Sequence, residues 1–210
     1  MAMQNVMANF FVVVQLLEVT LRNSIHTCAS NHFGDDEWFT RVPISVESKK
    51  QVDFAIHRCL EEIGVKYTSD DLVAHLPFGF WVHMLHKDYN NPRNKDKNLW
   101  QTQFSQCFPN ARVKNISLNT LFQNMGALNK FRNRLFHHEP AWKGKGTKNR
   151  EDAIRYLLKM YDSHLDVIEL MSSSKREMIS VLGFESRFKQ DCDINNLRIF
   201  EALMAPNVKP

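Results

Sequence analysis

Residues 117–142 read SLNTLFQNMGALNKFRNRLFHHEPAW. Ser117 offers an N-cap oxygen, and Pro140 cannot continue a helix. Between them the apolar residues follow the helical period. At about 100° per residue, Leu121, Met125, Leu128, Leu135 and Phe136 fall on one stripe. The segment predicts an amphipathic helix running to about His138. Arg132 lands inside the stripe, between Leu128 and Phe136. A guanidinium there is costly unless it meets an anion or a wet interface. Asn133 and His137 are four apart and stack just beyond one edge of the stripe.

The rest of the chain follows the same period. Phe10, Val13, Leu16, Leu17, Leu21 and Ile25 predict a helix from Asn9 to about Cys28. Asn31 to Val42 reads as a loop. Ser45 to Ile63 predicts a second helix, closed by Gly64. Ser69 is read as the cap of a third, with Asp70 and Asp71 in its first turn. Leu76 to Trp81 is an aromatic bend into a short helix ending near His86. Leu99 to Phe108 adds one helix, and Arg150 to about Met171 another. The polar stretches at 87–98 and 142–149 read as exposed basic loops, and the tail from Ser172 as less regular. No strand pattern stands out. The expected fold is all-α: a bundle of roughly five or six helices in one domain over residues 1–210.

Composition agrees with a packed helical chain. Of 210 residues, 43% are hydrophobic and 24% charged, which excludes a disordered chain. Seven glycines and seven prolines are too few for a turn-rich β fold. The net charge of +4 is compatible with a polyanionic partner without demanding one. Cys28, Cys59, Cys107 and Cys192 are widely spaced, which suits reduced, buried thiols. The longest unbroken apolar run stops at Gln15, so no membrane span is expected. No signal peptide is read at the start, and the expected location is cytoplasmic.

Few groups suggest chemistry. His83 and His86 are three apart, but no cysteine or carboxylate at ligand spacing joins them, so no metal is expected. No cofactor motif is present. Residues 143–147 (KGKGT) lack the spacing of a phosphate loop and a preceding strand. Phe78, Phe80 and Trp81 are better read as core than as base-stacking groups. Glu18, Arg22 and His26 occupy successive i, i+4 positions. That pattern is either an ordinary charged helix face or a network behind a site. From spacing alone, Arg132 could pair with a buried carboxylate while His137 and His138 sit at a helix C-terminus, where the dipole favours them.

One set of segments goes further. Arg132-Asn133-Arg134-Leu135-Phe136-His137 resembles the R-N-x-x-x-H form of the motif of HEPN domains. The continuation His138-Glu139-Pro140 is similar to the signature of their Abi-like (abortive-infection) branch. Leu17-Glu18-Val19-Thr20-Leu21-Arg22-Asn23-Ser24-Ile25 and Val73 to Val82 are similar to two further blocks of that branch, and Trp100 and Phe108-Pro109 continue the order. The resemblance covers about residues 12–145. It implies a HEPN-like bundle and a homodimer whose motif helices face each other across a cleft. It also implies a metal-independent endoribonuclease, acting as a toxin in phage defence. The implied partners are RNA and an antitoxin or other regulator, with neither DNA nor a membrane. The family carries a longer stretch, including helix, before the Leu17 block, so the expectation is either that a leading helix is absent here or that the start site is misassigned.

The chemistry implied is spare. RNA supplies its own nucleophile, the 2′-OH. Histidine is the side chain that titrates near neutral pH, so His137 is the candidate to move the proton. Arg132 would hold the phosphate and the charge it gains, and Asn133 would orient His137 or a phosphate oxygen. His138 also satisfies the motif but falls away from Asn133 on the wheel, so His137 is favoured. Arg134, Glu18, Arg22 and Asn23 are supporting candidates, and Glu139 is read as local structure. Two other functions remain open. The same fold could be an inactive module binding RNA, a nucleotide or a protein, or it could act on a substrate other than RNA.

Overall fold

The computed structural model describes residues 2–204. Among the described residues every regular element is helical: twelve α-helices and two 3-10 turns. Five exceed ten residues: α2 (Phe10–Phe33), α4 (Val46–Glu62), α8 (Leu118–Phe136), α9 (Arg150–Met171) and α12 (Ile194–Met204). These include the strongly periodic segments of the sequence. The short ones are α1 (Ala2–Ala8), α3 (Trp38–Arg41), α5 (Ser69–His75), α6 (Phe78–His83), α7 (Trp100–Cys107), α10 (Ser173–Val181) and α11 (Phe184–Asp191). Helices of this length are not stable alone and depend on packing, so periodicity under-reads them. Ser173–Met204, read as less regular, is accordingly mostly helical.

Local chemistry sets the boundaries. Ser45 caps α4, its side chain accepting from the Ser48 N–H at 3.1 Å. The cap of α5 is Thr68 rather than Ser69. Thr68 Oγ1 accepts from the Asp71 N–H, and the Asp71 carboxylate accepts from the Thr68 N–H at 2.8 Å. Ser117 caps α8 by accepting from Thr120 N–H at 3.2 Å. The stretch read as an open loop at 87–98 winds into 3-10 turns at Lys87–Asn90 and Lys95–Lys97. Tyr89 is its buried anchor, and its hydroxyl accepts from the Ser45 N–H.

The chain forms two compact units. One comprises residues up to Leu17, Lys130–Glu169 and Ser173 onward; the other comprises Glu18–Asn129 with Leu170–Ser172. The core of the first is aromatic. Phe10 lies 4.7 Å from Phe131, 5.1 Å from Phe188 and 5.4 Å from Tyr161, ring to ring. Tyr161 stacks flat on Phe188 at 3.9 Å. The core of the second gathers Trp38, Phe39, Phe80 and Trp81, all buried. Phe78, Phe80 and Trp81 are therefore core residues, as the sequence suggests. Trp100 is buried too and donates to the Met84 carbonyl at 2.6 Å. All four cysteines are free and buried.

Residues Met3–Phe33 form a helical stretch long and apolar enough to cross a membrane by length and composition, with a mean hydropathy of 1.3 over its most apolar 18 residues. Counting unbroken apolar residues misses it, because a window average runs through Gln15. Phe10, Val13, Val14, Leu17, Leu21 and Ile25 along it are all buried in the protein. That is also how a core helix behaves.

His164, on α9, is enclosed by the first unit's aromatic core, with Phe131 at 5.7 Å and Phe10 at 5.9 Å. Its Nδ1 meets the Met160 carbonyl at 2.6 Å. Burial pushes its pKa from the ordinary 6.5 down to about 4. The unfolded chain thus binds a proton between these values that the folded chain refuses. Stability present above pH 6.5 is lost as pH falls toward 4, by up to about 3 kcal/mol. His164→Gln should flatten that part of the profile. Thermal melting of both proteins from about pH 7.5 to about pH 4 measures it, and parallel curves would refute the assignment.

Candidate functional site

The buried face of α8 turns along its length. Leu121, Met125 and Leu128 are buried in the first half, and Phe131 and Leu135 in the second. At about 100° per residue, the second pair sits roughly 70° round from the first set. A wheel with one fixed stripe therefore misplaces the second half of the helix. Phe131, not Phe136, is the core residue, and Phe136 is 41% exposed. Arg132 is consequently half-buried at the edge of the apolar face rather than inside it.

Its surroundings are specific. The Arg132 guanidinium lies 4.5 Å from the centre of the Phe136 ring, a cation–π contact one turn along the helix. Arg132 Nη1 donates to Asn133 Oδ1 at 3.3 Å. Phe136 in turn meets Phe11 edge-on at 5.3 Å, and Phe11 is itself 40% exposed. Asn133 and His137 are exposed, and the His137 N–H donates to the Asn133 carbonyl at 2.9 Å. Arg132, Asn133 and His137 thus share the solvent-facing end of α8 with an exposed aromatic pair. The wheel does not reveal that pair. The available clue is Phe10-Phe11, since neighbours about 100° apart on a helix face different directions and the second of two large rings can be left at the edge of a core.

The helix ends at the histidines. His138 adopts φ +57°, the left-handed conformation that glycine usually supplies. The His138 N–H bonds to the Leu135 carbonyl, and the Glu139 N–H bonds to the Arg134 carbonyl at 2.9 Å. This pair of bonds is a complete Schellman closure. It stops the helix two residues before Pro140 could.

Arg134 then pins the returning chain. It donates to the Pro140 carbonyl at 2.6 Å and to the Lys143 carbonyl at 2.9 Å, and its Nε lies 3.5 Å from the Glu139 carboxylate. Glu139 is thus local structure, as its position suggests, with Arg134 as its partner. Residues 139–143 are tied down, so the stretch read as an exposed basic loop has a built foundation.

Glu18, Arg22 and Asn23 lie on α2 in the second unit. Arg22 Nε donates to Asn23 Oδ1 at 3.2 Å, the same adjacent Arg–Asn pairing as on α8. His26 does not simply continue a charged ladder. Its Nδ1 accepts from the Trp38 indole at 3.3 Å, and burial lowers its pKa.

Two further clusters have geometry without reactivity. Cys59 Sγ lies 3.5 Å from His75 Nδ1, and His75 Nε2 lies 3.1 Å from Glu62. The thiol is fully buried and burial pushes its pKa up, whereas a nucleophilic cysteine needs a stabilised, accessible thiolate. His75 Nδ1 is engaged by the Asp71 carbonyl at 2.7 Å. His83 and His86 stack face to face at 5.5 Å instead of converging on a point.

The helix end is testable. His138→Gly removes a left-handed side chain and should stabilise the protein by roughly 0.5–1 kcal/mol, read from denaturant midpoints. Arg134→Ala should cost roughly 1–2 kcal/mol, since it removes two charge-assisted bonds to backbone carbonyls. A destabilised His138→Gly would show that the imidazole holds this turn in another way.

Comparison with known protein families, with curated proteins and with solved structures finds no match to this chain.

Proposed function

We propose that the chain is an endoribonuclease that uses Arg132, Asn133 and His137 across a homodimer cleft. The observation that carries the reading is the cluster of Arg132 and Asn133 with Phe136 and Phe11 at the exposed end of α8, where an exposed His137 follows directly in the chain. Large exposed aromatics beside a polar cluster suit a surface that a second copy covers. The order of the motif segments supplies the rest of the support. The role in phage defence and an antitoxin or regulatory partner come from that resemblance alone.

In this reading the 2′-OH of the RNA attacks the adjacent phosphorus, and His137 takes its proton. Arg132 donates to the non-bridging oxygens as they gain charge. The P–O5′ bond breaks and the leaving oxygen takes a proton, delivered by the His137 of the second copy. The products are a 2′,3′-cyclic phosphate and a 5′-hydroxyl, so atoms and charge balance with no external reductant or oxidant. Asn133 fixes Arg132 through the bond already formed between them. Two copies make geometric sense of the motif. Arg132 and His137 are five residues apart, about 140° around one helix, and need not act on the same strand from the same chain.

The test is cleavage of a mixed tRNA and mRNA pool by the purified protein in EDTA. Cleavage with cyclic-phosphate ends is expected. His137→Ala should slow it by roughly 10²–10⁴-fold and Arg132→Ala by roughly 10²–10³-fold, with melting curves unchanged. Phe136→Glu should yield a monomer in sedimentation and lose cleavage with it. RNA binding without cleavage by the folded wild type would instead favour an inactive binding module.

A further inference from the structure

A cavity of about 390 Å³ opens beside the pinned loop of the first unit, lined by Trp142, Lys143, Thr147, Lys148, Asn149 and Arg150, with Met3 and Ala153. Its volume is that of a small-ligand site. Three cations line it, and no acidic residue is among the lining groups. Of the four tryptophans, Trp38, Trp81 and Trp100 are buried in cores, and Trp142 alone retains partial exposure. A partly exposed indole among cations is the composition that single-stranded nucleic acid sites use, one group for a base and the others for phosphate.

The wall is built rather than incidental. Arg134 holds the Pro140 and Lys143 carbonyls. Gly144 crosses the face of Tyr156 so closely that a Cβ there would lie 2.6 Å from the ring. The far side is set by the start of α9. The Lys148 N–H donates to the Asp152 carboxylate at 3.0 Å, and the Asp152 N–H donates to Asn149 Oδ1 at 2.8 Å. A loop tied at both ends lowers the backbone ordering cost at binding, leaving that of the cationic side chains themselves. Trp142 is also five residues from His137, hence within about 18 Å of it along the chain. One bound strand can reach both.

We propose that this cavity is a substrate subsite, in which one base of single-stranded RNA stacks on Trp142 while Lys143, Lys148 and Arg150 hold the flanking phosphates. The proposal rests on RNA being the substrate. It adds a place where the strand is gripped outside the Arg132–His137 group. Stacking tolerates any base, so the subsite gives affinity for unpaired RNA rather than sequence preference. Arg134 acts here as a positioning residue, linking the motif helix to the loop that forms the grip.

The probe is a 2′-O-methyl adenylate oligomer of about ten nucleotides, which lacks the attacking hydroxyl and is not cleaved. Titration should quench tryptophan emission, since the other three indoles are shielded in cores. Trp142→Phe should abolish the quenching while keeping affinity within about threefold. Trp142→Ala should weaken binding about tenfold. Lys143→Glu with Lys148→Glu should weaken it at least about tenfold. The same double variant should lower the slope of log affinity against log salt by about 0.7 for each phosphate no longer neutralised. Melting curves establish that each variant is folded. Unchanged affinity in Trp142→Ala and in the double charge reversal overturns the subsite, as does an absence of binding. Free AMP binding as tightly as the oligomer also overturns it, in favour of a mononucleotide ligand. The two readings fail separately. Quenching without EDTA-resistant cleavage keeps RNA binding at this cavity and removes the ribonuclease, and with it the role of the cavity as a substrate subsite. Cleavage lost in His137→Ala but unaffected by Trp142→Ala keeps the ribonuclease and removes the subsite.

Discussion

The left-handed turn at His138 is the constraint on which the candidate site depends. A helix that ran on to Pro140 would carry His137 and His138 on its side. The Schellman closure instead leaves His137 as the cap just past Phe136 and turns the chain back at once. Arg134, one turn earlier, can then reach the Pro140 and Lys143 carbonyls. One helix end therefore sets both the exposed polar group of Arg132, Asn133 and His137 and the wall of the basic cavity. The cost is a non-glycine residue at positive φ, roughly 1–2 kcal/mol of backbone strain. Two backbone bonds and the buried Leu135 just before the turn help to offset it.

Charge and aromaticity are distributed to match. In both cores, aromatic rings pack against one another and a histidine sits among or beside them: His164 with Phe10 and Phe131, and His26 with Trp38 and Trp81. Burial lowers the pKa of both histidines, so they serve as neutral packing groups. The histidines of the motif are placed differently, in solvent at the end of α8. Phe11, Phe136 and Trp142 are aromatic residues with accessible surface close to the motif in sequence or contact. Exposed aromatics beside cations are costly to leave wet, and both proposals give them something to meet: a second copy of the chain and an unpaired base.

The all-α class is legible from the residues alone, because a period of 3.6 can be read wherever a helix is long enough to repeat it. The spans of α4, α8 and α9 can be read to within about two residues, and so can the Ser45 and Ser117 caps, whereas α2 runs to Phe33 and α3 forms at Trp38–Arg41 within the stretch 31–42 that reads as a loop. The polar residues at the end of α8 stand out in the same way. Other features come from packing. The helices α10, α11 and α12 are as amphipathic as α8, but α10 and α11 repeat the pattern over only nine and eight residues, too few for the period to stand out. A single stripe drawn along α8 fails beyond Leu128 because the buried face turns within the helix. That turn exchanges Phe131 for Phe136 and moves Arg132 to the edge. In the sequence, Trp142 and the lysines after it are no more than a basic loop. Their arrangement around a cavity depends on hydrogen bonds from Arg134 and on Gly144 passing over Tyr156. Such contacts join residues whose separation obeys no helical period, so the pattern of the sequence carries no trace of them.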